Sequence, residues 1–140
     1  VPTQNHFFAQ LGLPGLFHGY HGIVLGVSAG SMNAAHIVYA APEEPGEAAD
    51  PHYSRWMNGL GLTETRILPH YQFIRDHVLD GQKVEDIALA DSKKRHFLAL
   101  PDGSYILCAD GSEALYGKGW YFADGMMEEI NEDEDVLPLR

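Results

Sequence analysis

Residues 23–30, Ile23-Val24-Leu25-Gly26-Val27-Ser28-Ala29-Gly30, form a short apolar run ending in a serine with a glycine two positions away on each side. A continuous apolar run of this length predicts a buried strand, here residues 22–27, of the kind found in parallel sheets. A serine at the end of such a strand is a nucleophile elbow: the chain reverses sharply in a strained conformation, and small neighbours let it fold back without collision. The hydroxyl then stands clear at the strand end, where N–H groups at the start of the next helix can meet a developing oxyanion. Residues 31–40 read as that helix, with Met32, Ala35 and Val38 or Tyr39 on one side. The same pentapeptide also occurs in glycine-rich loops without catalysis, so its weight comes from the strand before it and the helix after it.

On the N-terminal side of the elbow, residues 4–11 read as a helix capped by Thr3 and broken at Gly12-Leu13-Pro14-Gly15, with a second short helix or turn at residues 16–20. On the other side, residues 41–51 are rich in Pro and Glu, lack apolar periodicity, and predict a long surface loop that can wall a substrate site. Arg66-Ile67-Leu68 predicts a short strand stopped by Pro69, which leaves His70 at a strand end. Residues 83–91 read as a helix with Val84, Ile87 and Ala88 on one side. From Arg95 onward, apolar runs at residues 96–100, 105–108, 114–116 and 120–123 are punctuated by Asp102-Gly103, Asp110-Gly111 and Asp124-Gly125. Asp-Gly between apolar runs is a strong hairpin signal, so this third of the chain predicts a β-meander. The acidic stretch 128–135 reads as solvated, giving an α/β domain over 1–127 and an acidic tail over 128–140.

A chain of 140 residues with 45% hydrophobic content suits one domain with a modest core. A net charge of −11 with nine Lys and Arg excludes a general nucleic-acid binder, which needs clustered cations against phosphate. Acidic substrates would have to be met by local arginines such as Arg55, Arg66 and Arg75. One cysteine, Cys108, excludes an internal disulfide and a cysteine-based zinc site; it fits a reducing compartment and a strand or core position. No run is long enough to span a bilayer and the start does not resemble a signal peptide, so a cytoplasmic enzyme without a membrane partner is expected. The chain opens on Val1 and runs at once into a helical pattern, which suggests the later part of a longer protein.

A serine hydroxyl needs a base within hydrogen-bond reach, and the base needs an orienting partner. Among eight histidines, His18 and His21 share a spacing that could seat a metal, but no carboxylate accompanies them; neither metal nor cofactor is expected. His6 also precedes the elbow, His36 falls on the elbow helix facing away, and His52, His77 and His96 lie in polar surroundings. His70 ranks first, because catalytic side chains of open α/β sheets project from strand ends. Asp102, Asp110 and the acids of residues 80–91 compete for the third position, and Asp-Gly at 102–103 is equally a plain turn.

Gly26-Val27-Ser28-Ala29-Gly30-Ser31, Ile67-Leu68-Pro69-His70-Tyr71 and Ala99-Leu100-Pro101-Asp102-Gly103-Ser104-Tyr105 together resemble the peptidase E family of serine peptidases, the aspartyl dipeptidases and their cyanophycinase relatives, in the family's order of serine, histidine and acid. The resemblance spans most of residues 1–125. It implies a fold similar to the class I glutamine amidotransferases, a flavodoxin-like parallel sheet, with hairpins in the C-terminal part and with N-terminal strands of the family domain missing. It implies Ser28 as nucleophile, His70 as general base and acid, and Asp102 as the orienter of His70. The family's acid is often a glutamate; aspartate here is a shorter arm. One oxyanion donor would be the Ala29 N–H; the second must come from a segment outside this chain, or the chain is not a complete catalyst, and the expected partners are that missing N-terminal segment or a second copy in a homo-oligomer. An amino-terminal aspartate in the substrate would require an acid for its amine, for which Glu43 is the counterpart, and a cation for its side chain, for which Arg66 and Arg75 are candidates. The expected activity is hydrolysis of short peptides. Two alternatives share the elbow: an esterase, against which the order of histidine before acid argues, and a non-catalytic remnant that binds a partner through the elbow pocket. A glutamine amidotransferase is disfavoured by serine in place of cysteine.

Overall fold

The computed structural model describes residues 1–133 and 135–140. Its first helix, α1 (Pro2–Gln10), starts from Val1 with proline in the first turn, where the missing N–H costs nothing, so the cap expected at Thr3 is not used. Gly12, at φ 64°, turns the chain into α2 (Leu13–Leu16), which holds Pro14 in its first turn instead of being broken by it. The expected strand at 22–27 does not form a ladder. Ile23, Leu25 and Val27 are 94%, 86% and 71% exposed, because no strand lies beside them among the described residues and an extended run becomes sheet only when a neighbour takes its hydrogen bonds.

The elbow helix α3 (Ala29–Asn33) is also shorter than expected. Ile37-Val38-Tyr39, two β-branched residues and an aromatic, form β1 (Ile37–Tyr39) instead, paired antiparallel with β2 (Trp56–Asn58) so that Tyr39 faces Trp56. His36 therefore sits between helix and strand, not on the helix. The loop between β1 and β2 begins buried at Ala40 and Ala41 and is exposed at Glu43 and Glu44.

Next come β3 (Ile67–Leu68), α4 (Tyr71–Ile74), β4 (Val78–Leu79), β5 (Gln82–Lys83) and α5 (Val84–Ser92), which buries Val84, Ile87 and Ala88 as the periodicity predicts. The rest is strand: β6 (Phe97–Ala99), β7 (Tyr105–Ala109), β8 (Ser112–Tyr116), β9 (Gly119–Ala123), β10 (Met126–Ile130) and β11 (Val136–Pro138). These do not form one meander. They divide into a mixed sheet ordered β10-β9-β6-β3, in which β3 and β6 run parallel, and an antiparallel sheet ordered β11-β8-β7. Asp110-Gly111 and Asp124-Gly125 turn hairpins with both residues at positive φ. Asp102-Gly103 does not; it carries the chain from one sheet to the other. The acidic end is no free tail either, since Glu128 and Glu129 belong to β10 and residues 136–138 pair with β8. Cys108 is a strand residue as expected, but exposed, not core.

The main core gathers Met32 of α3, Leu68 of β3, Tyr71 of α4, Phe97 of β6 and Phe122 of β9, all at most 2% exposed. Phe97 stacks on Tyr39 and on Phe122 with ring centroids 4.3 and 5.0 Å apart. The elbow helix and the ends of β3 and β6 are therefore anchored in one packed cluster. Among the described residues, no helix is long and apolar enough to cross a membrane.

Candidate active site

Ser28 has φ 52° and ψ −122°, a conformation that side-chain-bearing residues rarely hold. Its carbonyl accepts three hydrogen bonds, from the N–H groups of Ser31 and Met32 at 3.0 and 3.1 Å and from the Ser31 hydroxyl at 2.6 Å. That fixes the Ser28–Ala29 peptide, whose N–H, at the first position of α3, has no intrahelical acceptor. The two flanking glycines are not equivalent. A Cβ at Gly26 would lie 2.8 Å from the Ser31 Cα and 2.9 Å from its N, whereas one at Gly30 would meet nothing within 4 Å. Close packing of the returning chain demands only the first glycine.

Asn33, fully buried at the end of α3, is a residue that no motif in the sequence marks. Its Nδ2 donates to the Ala29 carbonyl and to Gln4 Oε1, both at 3.0 Å, and its Oδ1 accepts from Asn5 Nδ2 at 2.8 Å. Asn5 Nδ2 also donates to the Asn58 carbonyl at 2.7 Å, so one amide pair ties the elbow helix to α1 and β2. No sequence pattern marks Asn33, because the apolar side of the expected helix runs through Met32, Ala35 and Val38 or Tyr39 and leaves Asn33 off that face.

β3 ends at Leu68, Pro69 stops the ladder, and His70 follows at φ 59° and ψ 33° as the residue that caps α4. In the parallel pair, Leu68 lies opposite Ala99, so the segments after β3 and after β6 leave the sheet side by side. His70 and Asp102 sit on those segments. His70 Nδ1 is 2.6 Å from Asp102 Oδ1, and His70 Nε2 is 3.0 Å from Ser28 Oγ. The carboxylate accepts from Nδ1–H, which leaves Nε2 as the acceptor for the serine hydroxyl. The shorter aspartate arm thus reaches the imidazole. The side chains of His70 and Asp102 are 44% and 55% exposed, so the site opens directly to solvent.

The expected substrate-binding residues fare differently. Arg66 precedes β3 and donates through Nε to the His96 carbonyl at 2.9 Å, at the opposite end of the parallel pair from His70 and Asp102. The direction of β3 therefore keeps it away from the catalytic end. Burial lowers the pKa of Arg66, with Arg95 adding to the effect, and burial and Arg66 together lower that of His96. Arg75 is exposed and follows α4, about one helical turn beyond His70. Glu43 lies in the long loop with its carboxylate 3.6 Å from the Val1 amine. That loop is held by carboxylates, since Glu47 accepts the N–H groups of Glu43 and Glu44 and Asp80 accepts those of Gly46 and Ala48.

Among the described residues, no group of three or more His, Cys, Asp and Glu is placed to hold a metal ion. Compared with family models, with curated proteins and with solved structures, the chain matches none.

Proposed function

We propose that this protein is a serine peptidase that cleaves short peptides through an acyl-enzyme. The observation that carries the reading is the continuous chain from Asp102 through His70 to Ser28, with links of 2.6 and 3.0 Å. Three side chains from three separate segments converge in the order that nucleophilic catalysis by serine requires. In this mechanism His70 Nε2 takes the Ser28 proton as Oγ attacks the scissile carbonyl. The tetrahedral oxyanion is met by the Ala29 N–H, whose peptide is held rigid from its carbonyl side. His70 then gives its proton to the departing amine, and a water activated by the same imidazole releases the acid. Asp102 keeps the imidazole in register and stabilises the imidazolium.

The motifs around Ser28, His70 and Asp102 further support membership of the peptidase E family, a glutamine amidotransferase-like fold, and substrates with an amino-terminal aspartate. Arg75 and Glu43 remain the candidates for the aspartate's carboxylate and amine. A free, exposed Cys108 suits a reducing compartment such as the cytoplasm. A panel of Xaa-Leu dipeptides and simple aryl esters tests the substrate class. Preferential release of leucine from Asp-Leu, abolished by Ser28→Ala, is the expected result; ester turnover without any dipeptide cleavage would overturn the peptidase assignment.

A further inference from the structure

Gln72 stands in α4, two positions after His70, and its Oε1 accepts the backbone N–H of Asp102 at 3.0 Å across 30 residues of sequence. This bond joins the segment that carries the base to the segment that carries its acid. The Asp102 turn has few other restraints. Ser104 N–H donates to the Pro101 carbonyl at 3.2 Å, Tyr71 N–H donates to the Leu100 carbonyl at 3.0 Å, and Gly103 sits at φ 95° with open space around it. The Asp102 side chain is more than half exposed, so packing does not fix its rotamer.

Catalysis, however, needs Oδ1 held at 2.6 Å from Nδ1. We propose that Gln72 is a positioning residue for the triad: by holding the Asp102 peptide it fixes the origin from which the carboxylate reaches His70. The proposal rests on the serine-hydrolase reading of Ser28 and His70. Its structural cost is small, because the buried groups at this point are Tyr71 and Leu100, and Gln72 itself is only half-buried. Its catalytic weight is larger, since a displacement of about 1 Å in a catalytic group costs up to about 100-fold in rate.

The test compares the parent chain with Gln72→Leu, which removes the acceptor, and Gln72→Glu, which keeps one. Two readouts are followed, the rate of Ser28 modification by a fluorophosphonate and the far-downfield proton resonance of the His70 Nδ1–H. Gln72→Leu should label about 10- to 100-fold more slowly, with its His70 resonance broadened or lost and its unfolding temperature unchanged. Gln72→Glu should recover most of the rate. Parental labelling with an intact resonance in Gln72→Leu would overturn the proposal, as would equal impairment of both variants. Failure of Ser28 to label in the parent chain counts against the serine-hydrolase chemistry alone; the His70 resonance in parent and Gln72→Leu then decides the role of Gln72.

Discussion

Replacing Gly26 by alanine places a methyl group 2.8 Å from the Ser31 Cα and 2.9 Å from the Ser31 N, where ordinary contacts lie at 3.4–4 Å. Both neighbours are backbone atoms, so no side chain can swing aside. The turn has to open by about 0.6 Å, and overpacking of this kind costs about 1–3 kcal/mol. Because the same turn carries Ser28, an opening of that size stretches the 3.0 Å bond from Ser28 Oγ to His70 Nε2 past hydrogen-bond range. Labelling of Ser28 by a fluorophosphonate should then slow by about 10- to 100-fold. Gly30→Ala is the matched control. It meets open space, and alanine is favoured over glycine within a helix by about 1 kcal/mol, so stability should hold or rise and labelling should stay near the parental rate. Thermal unfolding and labelling kinetics of the two variants are the assay. Parental labelling in Gly26→Ala, or equal damage in Gly30→Ala, would refute the steric account of the elbow.

Asp102→Asn should lower the labelling rate by about 10³- to 10⁴-fold, because an amide stabilises the wrong imidazole tautomer, while the exposed position leaves the unfolding transition unchanged. Asn33→Ala strips partners from Gln4, Asn5 and the Ala29 carbonyl and should cost about 2–3 kcal/mol in urea unfolding. His96 predicts a pH effect of defined sign. Its pKa is lower in the folded than in the unfolded chain, by burial and the nearby Arg66, so the unfolded state binds more protons as the pH falls through the usual histidine range near 6.5. Stability is therefore lost on acidification, and His96→Gln should flatten the pH dependence of the urea midpoint between about pH 7 and 5.

Local chemistry made part of this molecule legible. Pro69 halts β3 wherever the strand lies, so His70 could be placed at a strand end; Val84, Ile87 and Ala88 keep helical spacing; Asp110-Gly111 and Asp124-Gly125 require positive φ and make hairpins. The features missed depend on partners distant in sequence. Residues 22–27 are apolar enough for a buried strand, yet a ladder needs a neighbour. The elbow helix ends early because Ile37-Val38-Tyr39 finds β2, and the acidic end is drawn into strands by Trp120, Tyr121 and the β8 edge. Asp102-Gly103 has the composition of a hairpin turn but joins two sheets. Gln72 and Asn33 leave no pattern at all, since each acts through a hydrogen bond to a residue about 30 positions away.

The central claim, that Ser28 is an activated nucleophile, is tested most directly by mapping the site of fluorophosphonate modification by peptide mass spectrometry. The geometry predicts a single adduct on Ser28, absent in Ser28→Ala and strongly reduced in His70→Ala. An unmodified Ser28, or an adduct formed equally well without His70, would contradict it.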